Sequence, residues 1–502
     1  MDSLKVSFNE YYLQWRNRTR KYSRESMLVG ALQTLRQPSK DKLTELRGAP
    51  WLTCLMVKWI CQDRMLDHGV GPPITRQAFG DLCQRLWELP EHTNLGTRDS
   101  LPLHLFIRQI LRAQAGFQRR VTRGFLREAA LLLQLPSNDP VRILFETKSG
   151  VGIQDFIDLT LVIYAAIVGG AMGLTTNWFN PLRKAYSPAS IDAFVALVSR
   201  DIPGLVKFCR SLPNADAKKA SEFHEFPALT RYPFLLIGGG LQCWHPQVFY
   251  RGMEGLVHSI MSEARQEYID RFSKVFEKHV IAEARTLGVP FYSEDAIQQW
   301  LPPQSEVPDG LLSYVGCNVF IESKAGIFDE SVMTVGHAEV FSHKTRALRK
   351  AVSQAWTASA ALREQGWAPS NAMAASLDYL LIVTNKELSA SGGTVLEKIY
   401  PKGTLEPPSS NALGWLPLSH IYVVSIEDFE RLAAAVRRAE IDLPSFLSDC
   451  VQRDSDPATS CFYFEQHLDR HKIPWGFSAI VDKVWEEASG RVEAALGGWL
   501  PA

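Results

Sequence analysis

The chain has 502 residues, 46% of them hydrophobic and 22% charged, which is enough for two or three independent cores of an ordinary globular kind. Lys+Arg and Asp+Glu both total 54, so no global charge attracts a polyanion and any nucleic-acid surface has to be a local patch. The eight cysteines are dispersed, with no Cys-x-x-Cys pair and no adjacent His pair; that argues against a structural zinc and suits reduced thiols in a cytosol.

The opening residues "MDSLKVSFNEYYLQW" lack the basic start and apolar run of a secretory signal. Apolar residues recur at helical spacing through 52–66, 103–133 and 191–205, broken at "GVGPP" and "LPNADAKK". Residues 159–174 are almost wholly apolar but fall short of the ~18–20 residues of a membrane span. Asp155 and Asp158 closely precede them, so a buried helix is expected, in a cytoplasmic protein with no membrane partner. Near residue 231 the texture changes, and "RYPFLLIGGGLQCW" predicts two short strands around a Gly-rich turn.

A long helix is predicted over 252–287, with Ile269, Phe272, Phe276 and Val280 on one stripe. Strands are then expected in "VPFYS", "VPDGLLSYV" and "CNVFIES", a helix over 338–365, and a strand in "LDYLLIVTN". A Pro/Ser/Gly loop leads to the strand "HIYVVSI" and the helix "EDFERLAAAVRRAE". This order predicts an α/β unit with a small mixed sheet covered by helices. The expected plan is a mainly helical region over 1–250 with a nucleic-acid or target-sensing role, an α/β domain over 251–440, and a helical extension over 441–502.

The pair "VPDGLLSYV" and "CNVFIESKA" holds the most informative residues. A two-residue turn at Val315-Gly316 sets Asp309 opposite Glu322, and the neighbouring even register sets it opposite Lys324. Either way Asp309, Glu322 and Lys324 share one face, because strand side chains alternate with a period of two. Two carboxylates and an ammonium at a strand end suit a hard divalent cation such as Mg²⁺, which takes about one or two carboxylates and completes its shell with water and phosphate oxygens. Such an ion activates water and neutralises phosphate charge, and a neighbouring lysine can orient or deprotonate that water.

Pro308-Asp309 followed by Glu322-Ser323-Lys324 resembles the signature of the PD-(D/E)XK, or restriction-endonuclease-like, nuclease superfamily. The resemblance spans roughly residues 252–385. It implies an α/β C-terminal domain with an α-β-β-β-α-β mixed-sheet core, acting as a hydrolase on phosphodiester bonds with Mg²⁺, or Mn²⁺ in its place. DNA is the favoured polymer. By the same resemblance Asp309 and Glu322 ligate the metal and Lys324 assists the attacking water. Glu277, in "KVFEKHV", holds the metal through water or binds a second ion. Gln354, in "RKAVSQAWTA", matches a catalytic helix glutamine of several branches, although Ala358 stands where the tyrosine of the Gln-x-x-x-Tyr form is expected. A large helical region fused to such a domain also looks like the stand-alone nucleases of bacterial anti-phage defence, which implies a phage-derived trigger. The alternatives are an RNA or tRNA nuclease, and a catalytically inactive nucleic-acid-binding or scaffold protein of the same fold.

The same letters recur elsewhere without that frame, as Glu146-Thr147-Lys148 and Asp216-Ala217-Lys218. His337 and His343 are spaced wrongly for joint metal ligation on a helix and read as incidental or as phosphate contacts. No Gly-Lys-Ser/Thr loop and no Gly-x-Ser-x-Gly elbow occurs, which disfavours an ATP motor and a serine hydrolase. Residues 108–127 contain six arginines and no acid. Arg108, Arg112, Arg119, Arg123 and Arg127 would form one helical stripe suited to a phosphate backbone. A second cluster, "WRNRTRKYSR", mixes basic and aromatic residues as single-strand binders do. The alternative for both is a solvated face or pairing with acids.

Overall fold

The computed structural model describes residues 7–37, 50–69, 71–89, 105, 107–108, 117, 122–261, 265–303, 305–325, 338–364, 369–407 and 410–497. The chain divides into two compact units, the first comprising Met1–Ser100, Ile110–Glu263 and Lys483–Ala502, the second Leu101–Gln109 and Ala264–Asp482. The division therefore falls at 263/264 rather than 250/251. The tail is not a body of its own, since residues 441–482 belong to the second unit and the rest to the first.

The first unit is mainly helical, as its apolar spacing predicts. Helices Phe8–Thr19, Arg24–Leu35, Pro50–Gln62 and Arg76–Trp87 enclose one core. Ser7, Ser23 and Thr75 each cap a helix by accepting a backbone N–H, the role short hydroxyl side chains fill best. Helix Pro50–Gln62 is buried on every side, and its Trp59 ring meets Trp15 edge-on with centroids 5.6 Å apart. A four-stranded sheet sits among the helices. Its strands Phe234–Ile237 and Gly240–Cys243 form the expected hairpin, with Gly238 and Gly239 both at positive φ in the turn.

No single helix among the described residues is long and apolar enough to cross a membrane. Helices Pro140–Ser149 and Ile153–Val168 pass together on length and composition, but they are bent by 52°, and most of Ile153–Val168 is buried.

The second unit is α/β. Its elements are α1 (Arg265–Arg285), β1 (Phe291–Ser293), β2 (Gly310–Tyr314), β3 (Cys317–Lys324), α2 (Arg346–Glu364), β4 (Leu377–Thr384), β5 (Ile421–Ser425), α3 (Ile426–Arg437), α4 (Leu443–Asp454) and α5 (Phe464–Arg470). The strands form one sheet in the order β1-β2-β3-β4-β5. The first two pairings are antiparallel and the last two parallel. The long elements follow one another as helix, three strands, helix and strand, with short helices Glu294–Gln298, Ala338–Lys344 and Ser370–Met373 between them. The helix predicted over 252–287 is described as Pro246–Met261 and α1, and that over 338–365 as Ala338–Lys344 and α2.

The core of this unit lies between α2 and the sheet, with Leu311, Phe320, Leu380, Ile382 and Trp356 at most 1% exposed. On α1 the buried stripe runs through Tyr268, Phe272, Phe276 and Val280, while Ile269 is only half-buried. β3 is central, so its side chains have neighbours on both edges. A Cβ on Gly310, at the start of β2, would stand 2.6 Å from the Phe291 ring of β1, so any larger residue there would have to push that ring aside.

Candidate metal centre

The hairpin register brings the acidic residues together. β2 and β3 pair Gly310 with Ile321 and Tyr314 with Cys317, leaving Val315-Gly316 as the two-residue turn, with Gly316 at φ 83. Continued one step, this is the register that sets Asp309 opposite Glu322. The Asp309 backbone N–H donates to Glu322 Oε2 at 3.1 Å, while Asp309 Oδ2 accepts from the Ser323 N–H and hydroxyl, each at 2.6 Å. The other Glu322 oxygen, Oε1, is paired with Lys324 Nζ.

Two further carboxylates reach Asp309 from neighbouring elements. Glu277 lies on the flank of α1, next to the buried Phe276. Glu294 directly follows β1, and the Ser293–Gly310 pairing carries its N–H onto the Asp309 carbonyl at 3.2 Å. One carboxylate oxygen each of Glu277, Glu294 and Asp309 lie within 4.8 Å of one another. Glu277 and Asp309, both expected in the metal set, are thus in the group of three, and Glu322 is outside it.

The electrostatics match this crowding. Burial, then the charges of Asp309 and Glu294, hold the Glu277 carboxyl above its ordinary range, with Lys324 acting in the opposite sense. Burial and Asp309 do the same to Glu294. Glu322, only 1% exposed, is pushed up to about 7, chiefly by burial, with Lys324 opposing and Asp309 reinforcing. Three mutually repelling carboxylates beside a half-buried lysine form a hard, all-oxygen donor set. That set fits Mg²⁺ or Mn²⁺ and is unsuited to soft metals.

Gln354 lies on α2 at the back of this site. Its Nε2 donates to the Val307 carbonyl at 3.1 Å, two residues before Asp309, so it ties down the loop that carries Pro308 and Asp309. His343 is exposed at the end of helix Ala338–Lys344, and His337 lies outside the described residues.

The arginine stripe is corrected where it is described. Arg108 is 1% exposed and belongs to the second unit, where its guanidinium donates to the carbonyls of Leu388 and Ser389 and lies 4.3 Å from the Phe341 ring. Arg123 and Arg127 belong to the first unit. Arg123 lies over the Trp485 ring at 4.9 Å, and Arg127 is 6% exposed. These arginines serve internal packing, because their planar heads satisfy buried carbonyls and rings. Arg112 and Arg119 lie outside the described residues. The cluster at 15–24 is drawn inward in part: Trp15 is buried, Arg20 pairs with Asp63 at 2.8 Å and Arg24 with Asp67 at 2.7 Å, while Arg18 and Lys21 are exposed.

Glu294 is the residue that sequence reasoning missed. Its signal was present in the strand "VPFYS", whose next residue is an acid, but the pairing of that strand with β2 had to be known first. Compared with protein-family models, with curated proteins and with solved structures, the chain has no match.

Proposed function

We propose that the second unit is a metal-dependent nuclease of the restriction-endonuclease-like kind, hydrolysing phosphodiester bonds with Mg²⁺ or Mn²⁺, and that DNA is its substrate. The observation that carries this reading is the convergence of Glu277, Glu294 and Asp309 beside Lys324, at the end of a central β-hairpin. The element order around it, and the resemblance of Pro308-Asp309 and Glu322-Ser323-Lys324 to that superfamily's signature, support the same reading.

Glu277, Glu294 and Asp309 hold the cation, which supplies charge neutralisation at the scissile phosphate and activation of the attacking water. Lys324 orients that water and offsets charge on the phosphate as it builds. Glu322 fixes the Lys324 ammonium with one oxygen and the Asp309 backbone with the other. Ser323 turns the Asp309 carboxylate through two hydrogen bonds. A triad of carboxylates left partly open to solvent keeps positions free for water and phosphate, as catalytic magnesium requires.

The test is incubation of the full chain with supercoiled plasmid, single-stranded DNA and RNA in Mg²⁺, Mn²⁺ or EDTA. Cutting that needs the metal and disappears in Asp309→Ala and Lys324→Ala supports the reading. Cutting that persists in both variants removes this site as its source, and binding without cutting in either metal favours an inactive nucleic-acid-binding protein.

A further inference from the structure

The far end of the second unit carries another group of metal-ligating side chains, with the opposite chemical character. α4 sets Cys450 and Asp454 four residues apart on one face. The chain then turns back, and the Cys461 backbone N–H donates to Asp454 Oδ1 at 3.0 Å while its carbonyl accepts from Ser391 Oγ at 2.9 Å. α5 supplies His467, whose Nε2 lies 3.1 Å from Asp454 Oδ2. One donor atom each of Asp454, Cys461 and His467 lie within 4.8 Å of one another. The Cys450 thiol, one turn before Asp454 on the same face of α4, is buried beside this group.

Burial separates this group from a surface cluster. Cys450 and His467 are 0% exposed and Cys461 is 4% exposed. The rings of Tyr422 on β5 and Phe464 on α5 stand 5.9 and 6.0 Å from the imidazole, and Tyr422 Oη lies 3.4 Å from Asp454 Oδ2. His467 Nδ1 is buried with no hydrogen-bond partner among the described residues. A fully buried imidazole with one nitrogen on Asp454 and the other unsatisfied, in a group with buried thiols, calls for a stronger partner than the chain itself provides.

We propose that Cys450, Asp454, Cys461 and His467 hold a structural Zn²⁺ ion that fastens α4 to α5 behind β5. Two thiolates, an imidazole and a carboxylate form the soft-to-borderline donor set that Zn²⁺ takes, and four protein donors close a tetrahedral site. Binding displaces the protons of both thiols. Four protein donors leave no coordination position for a substrate, so the role is structural. The usual Cys-x-x-Cys spacing is absent because one helical turn provides the first ligand pair and the loop into α5 the second. This site is independent of the nuclease reading.

The test uses the full chain, purified without added metal or chelator. Elemental analysis is expected to find about one zinc per chain, released when a mercurial modifies the thiols. After zinc removal, Co²⁺ titration is expected to give thiolate-to-cobalt charge-transfer absorption and the visible bands of a tetrahedral site. Those bands should be lost in Cys461→Ser and His467→Ala and kept in Asp309→Ala and Cys83→Ser. A wild-type chain that carries no zinc and gives no thiolate charge-transfer band with Co²⁺ overturns the proposal without reliance on any variant's folding. So does a denatured thiol count two short of the eight free cysteines, since a Cys450–Cys461 disulfide would use both ligands.

Discussion

The second unit contains two clusters that each include an aspartate, and they differ in almost every property that decides what a metal does. Glu277, Glu294 and Asp309 are hard oxygen donors from a helix flank, a strand end and a loop, half-buried or exposed. Asp454, Cys461 and His467 join a buried thiol and a buried, ring-flanked imidazole to a half-exposed carboxylate. An open carboxylate set leaves coordination positions for water and phosphate, whereas a closed set of four donors spends all its positions on the chain. Donor chemistry and exposure together, more than the presence of acids, separate a site that could do chemistry from one that holds the fold.

The sharpest break between the two clusters should appear in cleavage. Asp309→Ala, which removes a proposed metal ligand, and Lys324→Met, which removes the charge beside the attacking water, are expected to lower metal-dependent cleavage by roughly 10²–10³-fold, the range for loss of one group that stabilises transition-state charge. Plasmid nicking rates read this, with zinc content unchanged. Glu294→Gln should raise the Mg²⁺ concentration for half-maximal cleavage by about 10-fold or more, because one of three converging oxygens becomes neutral. An unchanged Mg²⁺ requirement would remove Glu294 from the centre.

The pH dependence tests the carboxylate cluster without any substrate. Glu322 has a folded-state value raised from 4.5 to about 7, so the folded chain keeps a proton that the unfolded chain releases. Its contribution is fully present below about pH 4.5 and is lost as pH rises through 7. Wild type should therefore lose up to roughly 3 kcal/mol relative to Glu322→Gln between pH 5 and pH 8 in the absence of metal. Urea midpoints at the two pH values measure this. The smallest effect is expected at Gln354→Ala, about 1 kcal/mol of stability from the lost bond to the Val307 carbonyl. Its cleavage rate should fall less than tenfold if Gln354 positions the loop rather than touching substrate.

Much of this site was legible in the chain. Period-two alternation and a two-residue turn narrowed the hairpin to two registers, and the structure adopts the one that turns at Val315-Gly316. The decoy Glu146-Thr147-Lys148 carries the same spacing but lies in helix Pro140–Ser149, so no partner strand brings it a second acid. The arginines misled because a basic run without acids reads as a surface. Arg108 and Arg127 find their partners in backbone carbonyls, which leave no trace in sequence charge. Asp454, Cys461 and His467 escaped notice because their spacing matches no familiar zinc pattern and only the turn from α4 into α5 closes it.

By itself the sequence determined the order of the strands and long helices in the second unit and a central hairpin limited to two registers. These follow from short-range periodicity, which backbone geometry imposes within a few residues. Tertiary structure alone decided that Glu294 joins Glu277 and Asp309, that Arg108 is interior, and that Asp454, Cys461 and His467 meet. Each depends on how separate elements pack, and the energy of packing is carried by contacts that no local pattern encodes.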